Sequence, residues 1–178
     1  MGQPVSITAG FLILVGLTAL ERGVELIIGT RNRAWSLSQG GVEHGQSHWP
    51  WMVALHTSFL GLMVAEVLML PTAPSLPLAL SMLGLAVGAQ ALRWWCIRTL
   101  GKRWNPRVIV IPGLPRITDG PYRWLSHPNY MAVVIEGIAL PMVHGAWRTA
   151  MFFTASNAIL LWVRIGCENR ALHQLDRT

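Results

Sequence analysis

The length of its apolar runs restricts this chain more than any other feature. A helix needs about 20 consecutive apolar residues to cross roughly 30 Å of hydrocarbon. Residues 5–28, 51–70 and 78–100 meet that demand, and two further runs, 129–144 and 147–163, are joined by a short turn at Gly145. The composition agrees: 52% of residues are hydrophobic and only 12% charged, with nine tryptophans and a mean hydropathy of +0.43. A soluble core has no use for runs of this length. The expected fold is an all-α integral membrane protein of about five transmembrane helices, a single domain over residues 1–178. Three N-terminal spans fill residues 1–100, a cytoplasmic connector residues 101–127, and a helical hairpin with its tail residues 128–178.

Charge then orients the chain. A net charge of +6 suggests nucleic acid in a soluble protein, but in a membrane protein it marks cytoplasmic loops, so no nucleic-acid partner is expected. Seven of the fourteen basic residues fall between Arg93 and Arg123, while the outer turn of the hairpin holds only Arg148. The positive-inside rule predicts a multi-pass cell-membrane protein with an outward N-terminus and a cytoplasmic C-terminus. The N-terminus lacks a basic region and a small-residue cleavage site, so its first span reads as a retained anchor. Cys96 and Cys167 have no paired spacing, and His44 and His48 lie on a glycine-rich loop, so neither a disulfide nor a metal site is expected; the two histidines read as surface residues.

Several polar residues interrupt the apolar runs. Glu21 and Glu25 share a helix face beside Arg22, at the inner end of a first span expected to stop near residue 28 before a polar loop, residues 31–50. They read either as a patch facing substrate or cofactor or as an ion-pair lock to an arginine of a neighbouring helix, and the lock is favoured. His56 and Glu66 lie in the second span, where pocket-lining and buried hydrogen-bonded roles stand equal. Gly84 and Gly88 predict close helix packing. Gln90, Arg93, Trp94, Trp95 and Arg98 mark the third helix emerging into the interface, with its arginines snorkelling. In the connector, the β-branched residues 108–111 predict an extended segment, and Pro112-Gly113 a turn.

The chemistry concentrates between Ile117 and Tyr130. Gly120-Pro121-Tyr122 reads as a turn. His127 precedes a proline and is pushed out of the α region, and Pro128 suits the first position of a helix. That helix start suits an anionic group, and His127, Asn129 and Tyr130 surround it. The hairpin returns the chain to the same side, where Arg164 and Glu168 sit one turn apart. Taken alone, that pair is a simple helix-terminal ion pair.

The stretch GPYRWLSHPNY resembles the GPY…RHPNY motif of the isoprenylcysteine carboxyl methyltransferase family, membrane enzymes that use S-adenosylmethionine (SAM). Arg164–Glu168 is similar to that family's R-x-x-x-E, and the segment from Leu100 to Trp104 to its L-G-x-x-W. Residues 21–32 and 43–55 resemble a small bacterial subgroup that O-methylates long-chain alkylpyrones or alkylresorcinols made by type III polyketide synthases. Ser126 stands where the family has arginine, and Asn169 where it has a second glutamate.

The resemblance implies SAM as cofactor, with contacts at Leu114, Pro115, Arg116, Ile117, Tyr122, His127, Pro128, Asn129, Tyr130 and Glu168, and Arg164 orienting the acceptor. Glu168 suits the ammonium of SAM, His127 and the helix start its carboxylate, and Tyr122, Tyr130, Leu114 and Ile117 its adenine. The expected partners are a lipophilic small-molecule substrate and membrane lipids. Isoprenylcysteine carboxyl methyl esterification is the alternative acceptor chemistry, and a sterol-reductase-like enzyme using NADPH is the alternative of another class. A Rossmann-type SAM domain is excluded, because no G-x-G-x-x-G follows a strand.

Overall fold

The computed structural model describes residues 5–70 and 74–175. Five long helices carry the fold: α1 (Val5–Ser38), α2 (Trp49–Met69), α3 (Leu76–Leu100), α4 (Pro128–Met142) and α5 (Trp147–Leu175). Two three-residue strands, β1 (Val42–His44) and β2 (Val108–Val110), pair antiparallel with Glu43 opposite Ile109. The extended stretch expected at 108–111 is therefore the second strand of a ribbon that ties the α1–α2 loop to the connector.

Among the described residues, three helical stretches, Gln46–Met69, Leu76–Arg103 and Trp147–Leu172, are long and apolar enough to cross a membrane. The burial pattern is that of a membrane protein: Leu80, Leu85, Val87 and Trp162 face outward, while Glu25, Arg93, Glu136, Asn157 and Arg164 are buried. α4 has 15 residues and ends just after Pro141, which has no N–H to continue the ladder. Gly145, at φ 78°, turns the chain into α5.

The helices meet around Phe11 and Val15 of α1, Phe59, Met63 and Val67 of α2, Val133 and Leu140 of α4, and Phe153 of α5. Phe59 and Phe153 stack at 4.1 Å between centroids. Gly137 makes that approach possible, because a Cβ there would lie 2.5 Å from the Phe153 ring. Glu66 caps α5 from α2: its carboxylate accepts the Arg148 N–H at 3.1 Å, and the Thr149 N–H and hydroxyl at 2.7 Å each. A carboxylate at a helix N-terminus also opposes the helix dipole favourably.

Four expectations need correction. α1 continues to Ser38 instead of giving way to a loop after residue 28. Residues 31–38 contain no glycine or proline, and Asn32 holds this last stretch by donating to the Gly101 and Trp104 carbonyls at 3.1 and 2.7 Å. The helix stops at Gly40, in the left-handed region at φ 80°, where Gly41 N–H reaches back to the Ser36 carbonyl. Gly84 and Gly88 face outward with open space before them, since α3 buries Ala86, Ala89, Arg93, Cys96 and Ile97 instead. Arg93 does not snorkel; it is 5% exposed and turned into the bundle by carboxylates of α1 and α4. His48 is buried, tucked beneath the left-handed turn at Gly45.

Candidate functional site

A cavity of about 280 Å³ opens between α1, α2, α3, α4, α5 and the connector. Leucines and valines of all five helices, among them Leu26, Val53, Leu100, Val133 and Leu161, form its apolar walls. Its polar groups cluster at two ends.

The first end is built by the start of α4 and the last turns of α5. His127, at φ −135° and ψ 60°, stands outside the α region as a residue before proline must, and Pro128 opens the helix, fully buried. The His127 carbonyl closes the first turn by accepting from Tyr130 and Met131. The same turn stacks the His127 and Tyr130 rings at 5.4 Å. The Tyr130 hydroxyl donates to Glu168 at 2.6 Å, and His127 Nδ1 lies 3.8 Å from the other carboxylate oxygen. Arg164, one turn before Glu168, lies over the Tyr130 ring at 5.7 Å. Its guanidinium donates to the Pro106 carbonyl at 2.8 Å and to Met52 Sδ at 2.9 Å. Arginine has five N–H donors, so others remain for a ligand.

The connector supplies the rim. Tyr122 lines the cavity with its hydroxyl against the Cys96 thiol; burial, and then that neighbour, push its phenol above the ordinary value, so it stays neutral. Arg107 lies over the Trp49 ring at 4.3 Å and donates to Glu43 at 2.5 Å, while Arg33 reaches the same carboxylate at 2.9 Å. Burial alone would raise the Glu43 pKa, but the hydrogen bonds and charges of Arg107 and Arg33 outweigh it and hold the carboxyl below 4.5.

The second end carries Arg22 and Glu25 of α1, His56 of α2 and Arg93 of α3. Glu25 lies 3.0 Å from Arg22 and 3.7 Å from Arg93, and Arg93 also donates to Glu136 of α4. Glu21 accepts from Gln90 and Trp94. The expected lock between Glu25 and an arginine of another helix is present, and it borders the cavity as well.

Of the residues expected at the site, Tyr122, His127, Asn129, Tyr130, Arg164 and Glu168 all line this cavity. Pro128 sits beneath it, shaping α4. Leu114, Pro115, Arg116 and Ile117 do not line it; the turn at Gly113, φ 79°, carries them to the outer side of the connector, where Pro115 accepts from Arg103. Sequence reasoning did not anticipate Met52, Asn105, Arg107 or Asn157. Asn157 had a signal, as an amide in the middle of an apolar run.

Among the described residues, five that line the cavity carry a buried polar atom without a hydrogen-bond partner: Arg22 Nε and Glu25 Oε1 at the second end, and Asn129 Oδ1, Asn157 Oδ1 and Trp104 Nε1 elsewhere. Such atoms are costly unless a ligand or water meets them. Asn129 Oδ1 and the Glu168 carboxylate line the same cavity and are acceptors for an ammonium, and the Trp104 N–H is a donor. The residues present fit the amino-acid moiety of SAM.

The comparisons with known proteins agree with this geometry. The isoprenylcysteine carboxyl methyltransferase (ICMT) family model matches residues 82–174, from α3 to the end of α5. The chain belongs to the isoprenylcysteine carboxyl methyltransferase family. It is thus a membrane-associated methyltransferase. The chain is also 34% identical over 164 residues to an uncharacterized protein of Bacillus subtilis (strain 168), YpbQ, covering 92% of this chain and 97% of that one. That likeness extends the relationship over α1 and α2. No solved structure matches the chain.

Proposed function

We propose that the protein is a SAM-dependent O-methyltransferase acting on a lipophilic acceptor drawn from the bilayer, a long-chain alkylpyrone or alkylresorcinol. The observation that carries the reading is the meeting of Glu168, Tyr130, His127 and Arg164 on one apolar-walled cavity. Bound SAM supplies an electrophilic methyl group. Glu168, held by Tyr130, would accept from its ammonium together with Asn129, and His127 would donate to its carboxylate. Arg164 faces the acceptor oxygen, and its cation stabilises negative charge there. The helices align the reactants and exclude water. The apolar wall suits an alkyl chain, and likeness of the N-terminal half to the polyketide-linked subgroup favours a phenolic or enolic acceptor over a prenyl cysteine.

The site and the C-terminus are assigned to the cytoplasmic side of the cell membrane, where SAM is made. A cysteine introduced at exposed Arg116 should then resist an impermeant maleimide added to intact cells. The activity is tested with labelled SAM in detergent, offering a long-chain alkylresorcinol and N-acetyl-farnesylcysteine side by side. Transfer to the resorcinol is expected. Transfer only to the farnesylcysteine reverses the choice of acceptor, and calorimetry that detects NADPH binding but no SAM binding removes the methyltransferase chemistry.

A further inference from the structure

The second polar end of the cavity holds none of the residues assigned to SAM, and it includes His56 of α2. His56 Nδ1 lies 2.9 Å from the Met52 carbonyl. A carbonyl only accepts, so Nδ1 carries the proton and Nε2 of the neutral ring keeps its lone pair. The imidazole plane is set by the edge of Phe153, 5.3 Å away. Met52, one turn earlier on α2, touches Arg164 through its sulfur at 2.9 Å. His56 therefore stands one helical turn from the residue that buttresses the proposed oxyanion holder, and it lines the same cavity.

Charged groups line the same two cavities as His56. Three carboxylates, Glu21, Glu25 and Glu136, are interlocked with two guanidiniums, Arg22 and Arg93. With all five ionised the cluster carries one net negative charge, inside a membrane protein where such charge is costly. Glu25 is 7% exposed, lines the cavity and has one buried oxygen without a hydrogen bond. A smaller cavity of about 20 Å³, room for one water, touches His56, Arg22 and Glu136 together. His56 and Glu25 also lie outside residues 82–174, the part the family model matches.

We infer that His56 is the general base of the reaction, so that the acceptor binds as a neutral hydroxyl and not as a preformed anion. This rests on the methyltransferase reading above. The acceptor O–H bond breaks as its oxygen takes the methyl group. The proton passes to His56 Nε2, and the pair of the broken C–S bond stays on the donor's sulfur. Arg164 stabilises the charge that grows on oxygen, and Glu136, across the small cavity, offers the imidazolium a counter-charge.

The experiment compares wild type, His56→Gln and His56→Ala on alkylresorcinols whose ring substituents vary the phenol pKa. In wild type the acid limb of kcat should stay at one pH across the series, because it reports His56 and its cluster. A limb that moves with the phenol pKa overturns the inference, and this measurement needs no variant to fold. His56→Gln should lose ~100-fold or more in kcat, with SAM affinity by calorimetry, and resorcinol affinity by tryptophan quenching, both within threefold. Added imidazole should restore part of the rate to His56→Ala. A His56→Gln enzyme as fast as wild type overturns the inference and leaves the methyltransferase reading intact; wild type that binds no SAM overturns both.

Discussion

Replacing Glu168 by glutamine removes a charge while keeping an oxygen for Tyr130, so it isolates the electrostatic part of the cofactor contact. A hydrogen bond to a charged group contributes about 1.5–3 kcal/mol net. The Glu168 side chain is 29% exposed, so solvent screens part of that and the lower end applies. A loss of about 1.5–2 kcal/mol corresponds to SAM binding roughly 10–30-fold weaker. Tyr130→Phe leaves the charge but frees the carboxylate from its 2.6 Å bond, at about 0.5–1.5 kcal/mol, or roughly 2–10-fold. The two groups touch, so the double variant should lose less than the sum of the single losses. Calorimetric titration of SAM into each purified protein in detergent measures all three. A Glu168→Gln protein that binds SAM within twofold of wild type refutes the assignment, whatever its activity.

Glu66→Ala should lower stability by about 3 kcal/mol, a drop of roughly 6–12 °C in thermal unfolding, because the Arg148 and Thr149 N–H groups lose their acceptor; an unchanged midpoint would show that the cap is dispensable. Gly137→Val should destabilise by about 1–3 kcal/mol through overpacking against Phe153, and a smaller residue at 153 should restore part of the loss. Glu43 supplies a pH dependence. Its folded pKa lies below 4.5, so the stability from Arg33 and Arg107 is fully present above that pH and fades as pH falls through the lower folded value. Unfolding midpoints of wild type and Glu43→Gln should therefore converge below pH 4.5, and a gap that persists at the lowest pH would remove the carboxylate as its cause.

Much of the site was legible in the residues themselves because local rules produce it. Pro128 starts a helix and turns His127 out of it, whatever the rest of the chain does. A short turn at Gly145 makes α4 and α5 antiparallel, which brings Tyr130 to Glu168 across 38 residues of sequence. Apolar length alone separated membrane helix from connector. The end of α1 was harder to read, because a polar stretch rich in arginine forms helix as readily as loop. Asn32, bonded to backbone 69 and 72 residues away, is part of what holds it as helix.

The sequence by itself determined that this chain makes long apolar helices, where the last two fold back, and which polar residues stand at the start of α4. Only the tertiary structure decided how those helices rotate about their axes. A helix apolar all round has no face that its own periodicity marks as inner, so nothing local said that Gly84 and Gly88 face outward while Arg93 faces in. The rotation of α3 joins Arg93 to Glu136, 43 residues on, and the rotation of α2 sets Met52 against Arg164, 112 residues on. Those contacts arise from packing between helices distant in sequence, and they turn isolated polar residues into a cavity with two ends.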